Sequence, residues 1–210
     1  MIGNRIALAT LCIAAAGIFA TSARAQDDEV KHFKIYGGPA YVAPMEDSDV
    51  TIGTVTDSIE AEKQVGWNIG FEGRFNKWFG LELDYVDAQT DVSFGGTTIG
   101  ETNFSPLTAT FNIHLVHAKV VDFYLGPSYS WVNWGDISLN TEGSTINGGS
   151  EIGTDSSSNW GVSLGIDFNI GEHFAIGAGL KYLNVDLETS SGQTYGVKPL
   201  VARLTAAFRF

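Results

Sequence analysis

The chain has 210 residues, one cysteine, 24 acidic against 12 basic side chains and a formal net charge of −12. That acidity argues against a nucleic-acid binder, which must neutralise phosphates, and a single cysteine excludes a disulfide framework. Beyond an N-terminal run, no stretch approaches 18 consecutive apolar residues, so no helical membrane span is expected there.

The N-terminus has the layout of an export signal. Arg5 precedes an apolar run over residues 6–20, and Ala23-Arg24-Ala25 supplies the small residues of a cleavage site. The expected organisation is a signal peptide over residues 1–25 and one domain over 26–210. Cys12 leaves with the signal, and Leu11 stands where a lipoprotein signal needs a small residue, so no lipid attachment is expected. Loss of Arg5 and Arg24 takes the formal charge from −12 to −14. An exported, thiol-free, glycine-rich chain built of alternating strands fits the bacterial outer membrane.

The first strand runs over about residues 32–42. Phe33, Ile35, Gly37, Pro39 and Tyr41 alternate with His32, Lys34, Tyr36, Gly38 and Ala40. Period-two alternation marks a strand with one apolar face. Residues 44–63 form a polar loop with Glu46, Asp47, Asp49, Asp57, Glu60 and Glu62. The clearest hairpin follows over residues 65–86. Val65, Trp67, Ile69, Phe71 and Phe75 stand opposite Gly66, Asn68, Gly70, Glu72 and Arg74. Past Asn76 and Lys77, Phe79, Leu81, Leu83 and Tyr85 stand opposite Gly80, Glu82 and Asp84.

A second loop spans residues 87–103, rich in Gly and Thr. Strand four, about 104–115, is less regular: Leu107, Ala109, Phe111 and Ile113 alternate with Thr108, Thr110, Asn112 and His114. After a short turn at 117–119, strand five sets Val121, Phe123, Leu125, Pro127, Tyr129 and Trp131 against Asp122, Tyr124, Gly126, Ser128 and Ser130. Its Gly126-Pro127-Ser128-Tyr129 echoes Gly38-Pro39-Ala40-Tyr41. The longest loop covers 135–158. Strands six (160–170) and seven (174–182) flank a tight Gly171-Glu172 turn and carry Asp167 and Lys181 on the small-residue face. A short fourth loop at 188–195 leads to strand eight, where Leu200, Ala202, Leu204, Ala206, Phe208 and Phe210 oppose Val201, Arg203, Thr205, Ala207 and Arg209.

Charges at mid-strand fit poorly in a soluble β-sandwich, whose inner faces form an apolar core. They fit an eight-stranded antiparallel transmembrane β-barrel with an apolar face toward lipid and a polar lumen. Eight is even, and short periplasmic turns alternate with long extracellular loops. Closure removes strand edges that lipid could not satisfy. Phe75, Phe79, Phe123, Phe168, Phe174, Phe208 and Phe210 gather near the short turns, and Trp67, Tyr85, Tyr129, Trp131, Trp160 and Tyr182 toward the loops, as interfacial belts do. The terminal Phe208 and Phe210 resemble the signal used by the barrel-assembly machinery.

The residues offer no catalytic constellation, metal motif or cofactor loop. His32, His114, His117 and His173 all map to the periplasmic rim, away from the outer leaflet where a barrel enzyme would need them, so no enzyme is expected. Inward charges balance: Lys34, Arg74, Lys181, Arg203 and Arg209 against Glu72, Glu82, Asp84, Asp122 and Asp167. In a lumen wide enough only for side chains, they are expected to form an ion-pair plug in the periplasmic half. The loops are acidic, adding Asp87, Asp91, Glu101, Asp136, Glu142, Glu151 and Asp155. They suit solvation beside lipopolysaccharide, with divalent cations as bridges, though no calcium-loop spacing is present.

Continuing the inward parity upward gives Val42, Val86, Val132, Trp134 and Leu183, with Phe104 and Pro106 at the top of strand four. These form either an apolar vestibule for a hydrophobic solute or the filling of a closed barrel. Pro106 has no N–H, which weakens pairing there and permits a side exit.

With the strands placed, the chain resembles the OmpW family of small outer-membrane barrels. The likeness rests on Ala40-Tyr41-Val42-Ala43-Pro44, Phe79-Gly80-Leu81-Glu82-Leu83, Ser105-Pro106-Leu107-Thr108, residues 124–134, residues 160–186, Lys198-Pro199 and the terminal Phe208-Arg209-Phe210. The Pro106 segment and Lys198-Pro199 are the more particular signals; others are shared with OmpA-like and OmpX-like barrels. The resemblance implies a monomeric barrel passing small hydrophobic molecules from an apolar upper lumen to a lateral exit. The alternative is a closed structural or adhesive barrel acting through its loops.

Overall fold

The computed structural model describes residues 31–46, 48–52, 55–147, 149–190, 192 and 194–210. The expected signal peptide and its cleavage point lie outside them. In chain order the strands are β1 (Phe33–Ala43), β2 (Ser48–Ile52), β3 (Val55–Ala61), β4 (Gln64–Arg74) and β5 (Phe79–Phe94). There follow β6 (Thr97–His117), β7 (Val121–Trp134), β8 (Ile137–Leu139), the short helix α1 (Thr141–Asn147), β9 (Glu151–Ile152) and β10 (Thr154–Asp155). The chain ends with β11 (Ser157–Ile170), β12 (Phe174–Leu183), β13 (Asp186–Thr189), β14 (Thr194–Gly196) and β15 (Leu200–Arg209).

Eight of these close a barrel in the order β5-β4-β1-β15-β12-β11-β7-β6, with β6 returning to β5. Every neighbouring pair is antiparallel. Alternation dictates the two faces. Val65, Ile69, Val162 and Leu204 point outward, 50–69% exposed, while Glu72, Glu82 and Thr110 point inward at 0%. Apolar outside and polar inside inverts a soluble protein, and only lipid makes the outer face favourable. Among the described residues no helix is long and apolar enough to cross a membrane; the strands do the crossing.

Ring pairs mark both rims. Phe33–Phe71, Phe33–Phe210 and Phe174–Phe208 lie at the short-turn end, and Trp67–Tyr85, Tyr129–Trp131 and Tyr129–Trp160 toward the loops. The first short turn is held by Asn76, whose Oδ1 accepts from the backbone N–H of Trp78 (2.8 Å) and Phe79 (3.0 Å). Phe210 and Phe33 exchange both backbone hydrogen bonds, 2.9 and 3.0 Å, and so tie the barrel seam at its lower end.

The loop ends carry more strand than their composition suggests. Residues 87–103, read above as loop, continue β5 and β6 to a tight turn at Gly95 and Gly96, with φ of 57° and 76°. A two-residue hairpin turn with both φ positive suits glycine. The alternation persists there: Ala88, Thr90, Val92 and Phe94 are all buried. Residues 44–63 contain the β2–β3 hairpin, which adds to the edge of β5, while β8 and β9 extend from β6. Strands β10, β13 and β14 form a separate three-stranded sheet. The irregularity expected in strand four is a register shift between His114 and Val116, which turns both Leu115 and Val116 outward.

Candidate functional site

The lumen divides into two halves. Near the short turns, inward positions of seven strands bring five cations and five carboxylates together. Lys34 Nζ lies 2.7 Å from Glu72 and 3.0 Å from Asp167. Arg74 pairs with Asp122 and, at 3.6 Å, with Glu72; Arg209 lies 3.3 Å from Asp167. A second group sets Lys181 2.8 Å from Glu82 and Arg203 3.0 Å from both Glu82 and Asp84. Asn112 joins the groups, donating to Glu72 at 3.1 Å and to Glu82 at 3.4 Å. All ten charges are buried, at 7% exposure or less. Ions so far from water persist only when paired, and each of the ten has an opposite charge beside it, with hydrogen bonds added at some, as Arg203 makes to Glu82 and Asp84.

Alternation places the ten charges inward, and the structure adds four partners to them. His114 is not a rim residue like His32, His117 and His173; it is fully buried between two carboxylates. Its Nε2 lies 2.9 Å from Glu72 and its Nδ1 2.9 Å from Asp122. With a carboxylate at each ring nitrogen, the imidazole bridges Glu72 and Asp122 and ties β4 to β7 across the lumen. Tyr36 and Tyr124 are the others beside Asn112. Arg203 lies over the Tyr36 ring at 4.8 Å and donates to its hydroxyl at 2.6 Å, while Lys34 lies 4.6 Å from the Tyr124 ring centre. Gly70 and Gly165 make room, since a Cβ at either would fall inside van der Waals contact of these rings. That is why small residues alternate with charges on these inner faces. Among the described residues no His, Cys, Asp or Glu group is placed to hold a metal ion.

Toward the loops the lumen turns apolar. Val42, Val86, Phe104, Val132, Trp134 and Leu183 join one buried cluster, each 5% exposed or less. Phe104 and Trp134 pack ring to ring at 4.9 Å, and the Trp134 indole donates to Ser157 at 3.2 Å. Residues of the extracellular extensions complete the cluster from above: Ile99, Ile137, Val185, Leu187 and Val197. The upper lumen is therefore filled rather than open. Between the halves lies a belt of hydroxyls and amides: Asn68, Thr108, Thr110, Ser128, Ser130 and Ser163.

Three prolines interrupt the wall. Pairing of β1 with β15 skips from Gly37↔Ala206 to Ala40↔Arg203 around Pro39, and β6 with β7 from Thr110↔Ser128 to Ile113↔Leu125 around Pro127. Pairing of β5 with β6 skips from Tyr85↔Leu107 to Ala88↔Phe104 around Pro106. Each proline lacks the N–H its neighbour would accept. At the first two, an adjacent glycine lets the strands close in. A Cβ on Gly38 would collide with the Leu204 carbonyl oxygen, and one on Gly126 with that of Phe111. This explains the repeated Gly-Pro-x-Tyr. Pro106 has no such glycine, points inward at the level of the apolar cluster, and is bridged on the outside, where Ser105 Oγ donates to Asp87 at 3.1 Å. Phe208 and Phe210 point outward at the opposite end, 44% and 49% exposed.

The architecture is shared with proteins of known structure. OprG from Pseudomonas aeruginosa matches with a TM-score of 0.76 over 87% of this chain and 97% of its own, at 19% identity. Outer membrane protein W from E. coli matches at 0.54 over 88% and 100%, at 20% identity. Neisserial surface protein A matches at 0.55 over 85% and 97%, at 14% identity. The resemblance to the OmpW family agrees with these folds. None of the curated protein sequences matches this chain. Residues 11–210 match the family described as outer membrane protein beta-barrel domain. This chain belongs to that family.

Proposed function

We propose that this barrel passes small hydrophobic molecules across the outer membrane without catalysis. The solute uses the apolar upper lumen and leaves sideways at Pro106. The observation that carries the reading is the coincidence of three features at one height. The apolar cluster, the missing N–H and the absence of a close-packing glycine all fall where β5 meets β6. The buried ion network below gives a solute no reason to continue toward the periplasm, since an apolar molecule there would displace paired charges. A lateral step into lipid suits it better, because lipid is its preferred solvent.

The competing reading is a closed structural or adhesive barrel whose acidic loops face other surfaces. It draws support from the packing of the upper lumen, where the proposed route residues are at most 5% exposed. Uptake of the apolar fluorophore phenylnaphthylamine into vesicles separates the two. Barrel-containing vesicles should take it up faster than empty ones, and Pro106→Ala, which restores an N–H to the ladder, should slow them. Uptake equal to that of empty vesicles would favour the closed barrel.

A further inference from the structure

The upper lumen is filled from two sources, barrel strands and loops, and the loop share rests on a separable piece of structure. Val185 and Leu187 on one leg of the β13–β14 hairpin, and Tyr195 and Val197 on the other, turn their side chains into the apolar cluster. The hairpin belongs to the small β10-β13-β14 sheet and not to the sheet that forms the barrel and its β5–β6 extension. It is joined to the third loop by a two-residue ladder, Thr154↔Thr189 and Asp155↔Glu188, and by the Ser190 N–H donating to the Gly153 carbonyl.

Where the hairpin rejoins the barrel, Lys198 has φ of 37°, the one non-glycine residue with positive φ among those described. A lysine in the left-handed region is held there by its surroundings and returns to ordinary backbone once they let go. The surroundings are specific. The Lys198 N–H donates to the Val185 carbonyl at 3.0 Å, and its ammonium lies 2.8 Å from Glu46 at the base of the first loop. The Met45 N–H donates to the Val197 carbonyl at 3.0 Å. The hydrogen bond to Glu46 raises the Lys198 pKa above the ordinary lysine value, so the ammonium is charged at neutral pH. Glu46 and Lys198 are both partly exposed, at the outer surface. An exposed pair of this kind is weak and breaks readily.

We propose that the β13–β14 hairpin is a lid over the upper lumen, hinged at Lys198-Pro199 and latched by the Lys198–Glu46 ion pair. This rests on the transport reading. It adds what that reading lacks, a moving part that empties the apolar cluster from above while the barrel strands stay paired. Opening withdraws Val185, Leu187, Tyr195 and Val197 from the cluster and leaves a concavity floored by Val42, Phe104, Val132 and Trp134. A small apolar solute takes their place over the floor of the cluster, which offsets part of the cost of exposing the lid's own apolar side chains.

The test joins Glu46→Cys and Lys198→Cys with a short bis-methanethiosulfonate, which forms a reducible disulfide at each cysteine and releases sulfinate, in vesicles carrying the barrel. Linked barrels should take up phenylnaphthylamine about tenfold more slowly than the same barrels after reduction. Equal uptake before and after reduction, with both faster than empty vesicles, overturns the lid and leaves the transport reading standing. Uptake no faster than empty vesicles in every state overturns both. A readout independent of transport uses Leu187→Cys, on the buried inner side of the closed lid. A water-soluble maleimide should label it several-fold faster when Lys198→Glu sets like charges at the latch. Unchanged labelling in folded barrels overturns the latch.

Discussion

The two halves of the lumen solve one problem, filling a narrow barrel, by opposite means. The lower half uses directional pairs. Glu82 is met by Arg203 from β15 and Lys181 from β12, and Glu72 by Lys34, Arg74 and His114 from three strands. The upper half uses non-directional contact, and side chains from loops are as much part of it as those from strands. Pairs constrain which strand faces which, because a buried charge moved away from its partner is costly. Apolar packing tolerates exchange, so one residue can leave and another molecule take its place. A fixed half and an exchangeable half stacked in one barrel are what the proposed sideways passage needs.

The comparison can be broken most forcefully in the lower half. Arg203 donates to Glu82 at 3.0 and 3.1 Å, to Asp84 at 3.0 Å and to the Tyr36 hydroxyl. Arg203→Met keeps most of the volume but leaves two buried carboxylates sharing Lys181. The expected loss is about 3–5 kcal/mol, read as a lower urea midpoint of the refolded barrel. An unchanged midpoint would mean that water reaches the network and that the lower half is an open pore.

The next test moves polarity upward. Val132 is 1% exposed and faces Pro106 across the β6–β7 ladder. Val132→Thr is nearly isosteric, yet it places a hydroxyl among apolar side chains. A cost of about 1–3 kcal/mol is expected, again from the unfolding midpoint. A neutral result would show that the upper lumen already holds water.

Much of this division is legible in the amino-acid sequence, because period-two alternation assigns each strand residue to a face. Lys34, Glu72, Arg74 and their partners fall inward by parity alone. Who meets whom does not follow, since pairs such as Lys181–Glu82 and Lys34–Asp167 join strands that are not neighbours. His114 shows the limit most clearly. Parity places it inward, but its closeness to the short turn suggests the rim. The signal that could have found it is hairpin register, which sets it opposite Tyr124 and brings Asp122 within reach. The extracellular strands are hidden by composition. Gly and Thr at 87–103 read as loop, although Thr90, Val92 and Phe94 keep the alternation and β-branched residues suit strands. The lid is beyond reach of the sequence, since Lys198 and Glu46 are 152 positions apart.

The smallest expected effect has the opposite sign and tests the boundary between the halves. Thr110 points inward from β6 at 0% exposure, in the belt between ions and apolar cluster, and its hydroxyl has no hydrogen-bond partner in the structure. Its cross-strand neighbours are Glu82 and Ser128, and the Ser128 hydroxyl is also without a partner. A buried hydroxyl that has given up water and gained nothing is a net cost, so removing it should help. Thr110→Val keeps shape and β-branching, so strand geometry and packing are preserved. The urea midpoint should rise, by about 1 kcal/mol in stability. Thr108 is the control, because its hydroxyl pairs with Ser130 at 2.9 Å. Thr108→Val should lower the midpoint by orphaning that partner. If Thr110→Val is instead destabilising to the same degree as Thr108→Val, the belt carries bound water, and the apolar region begins one residue layer higher than the side-chain contacts place it.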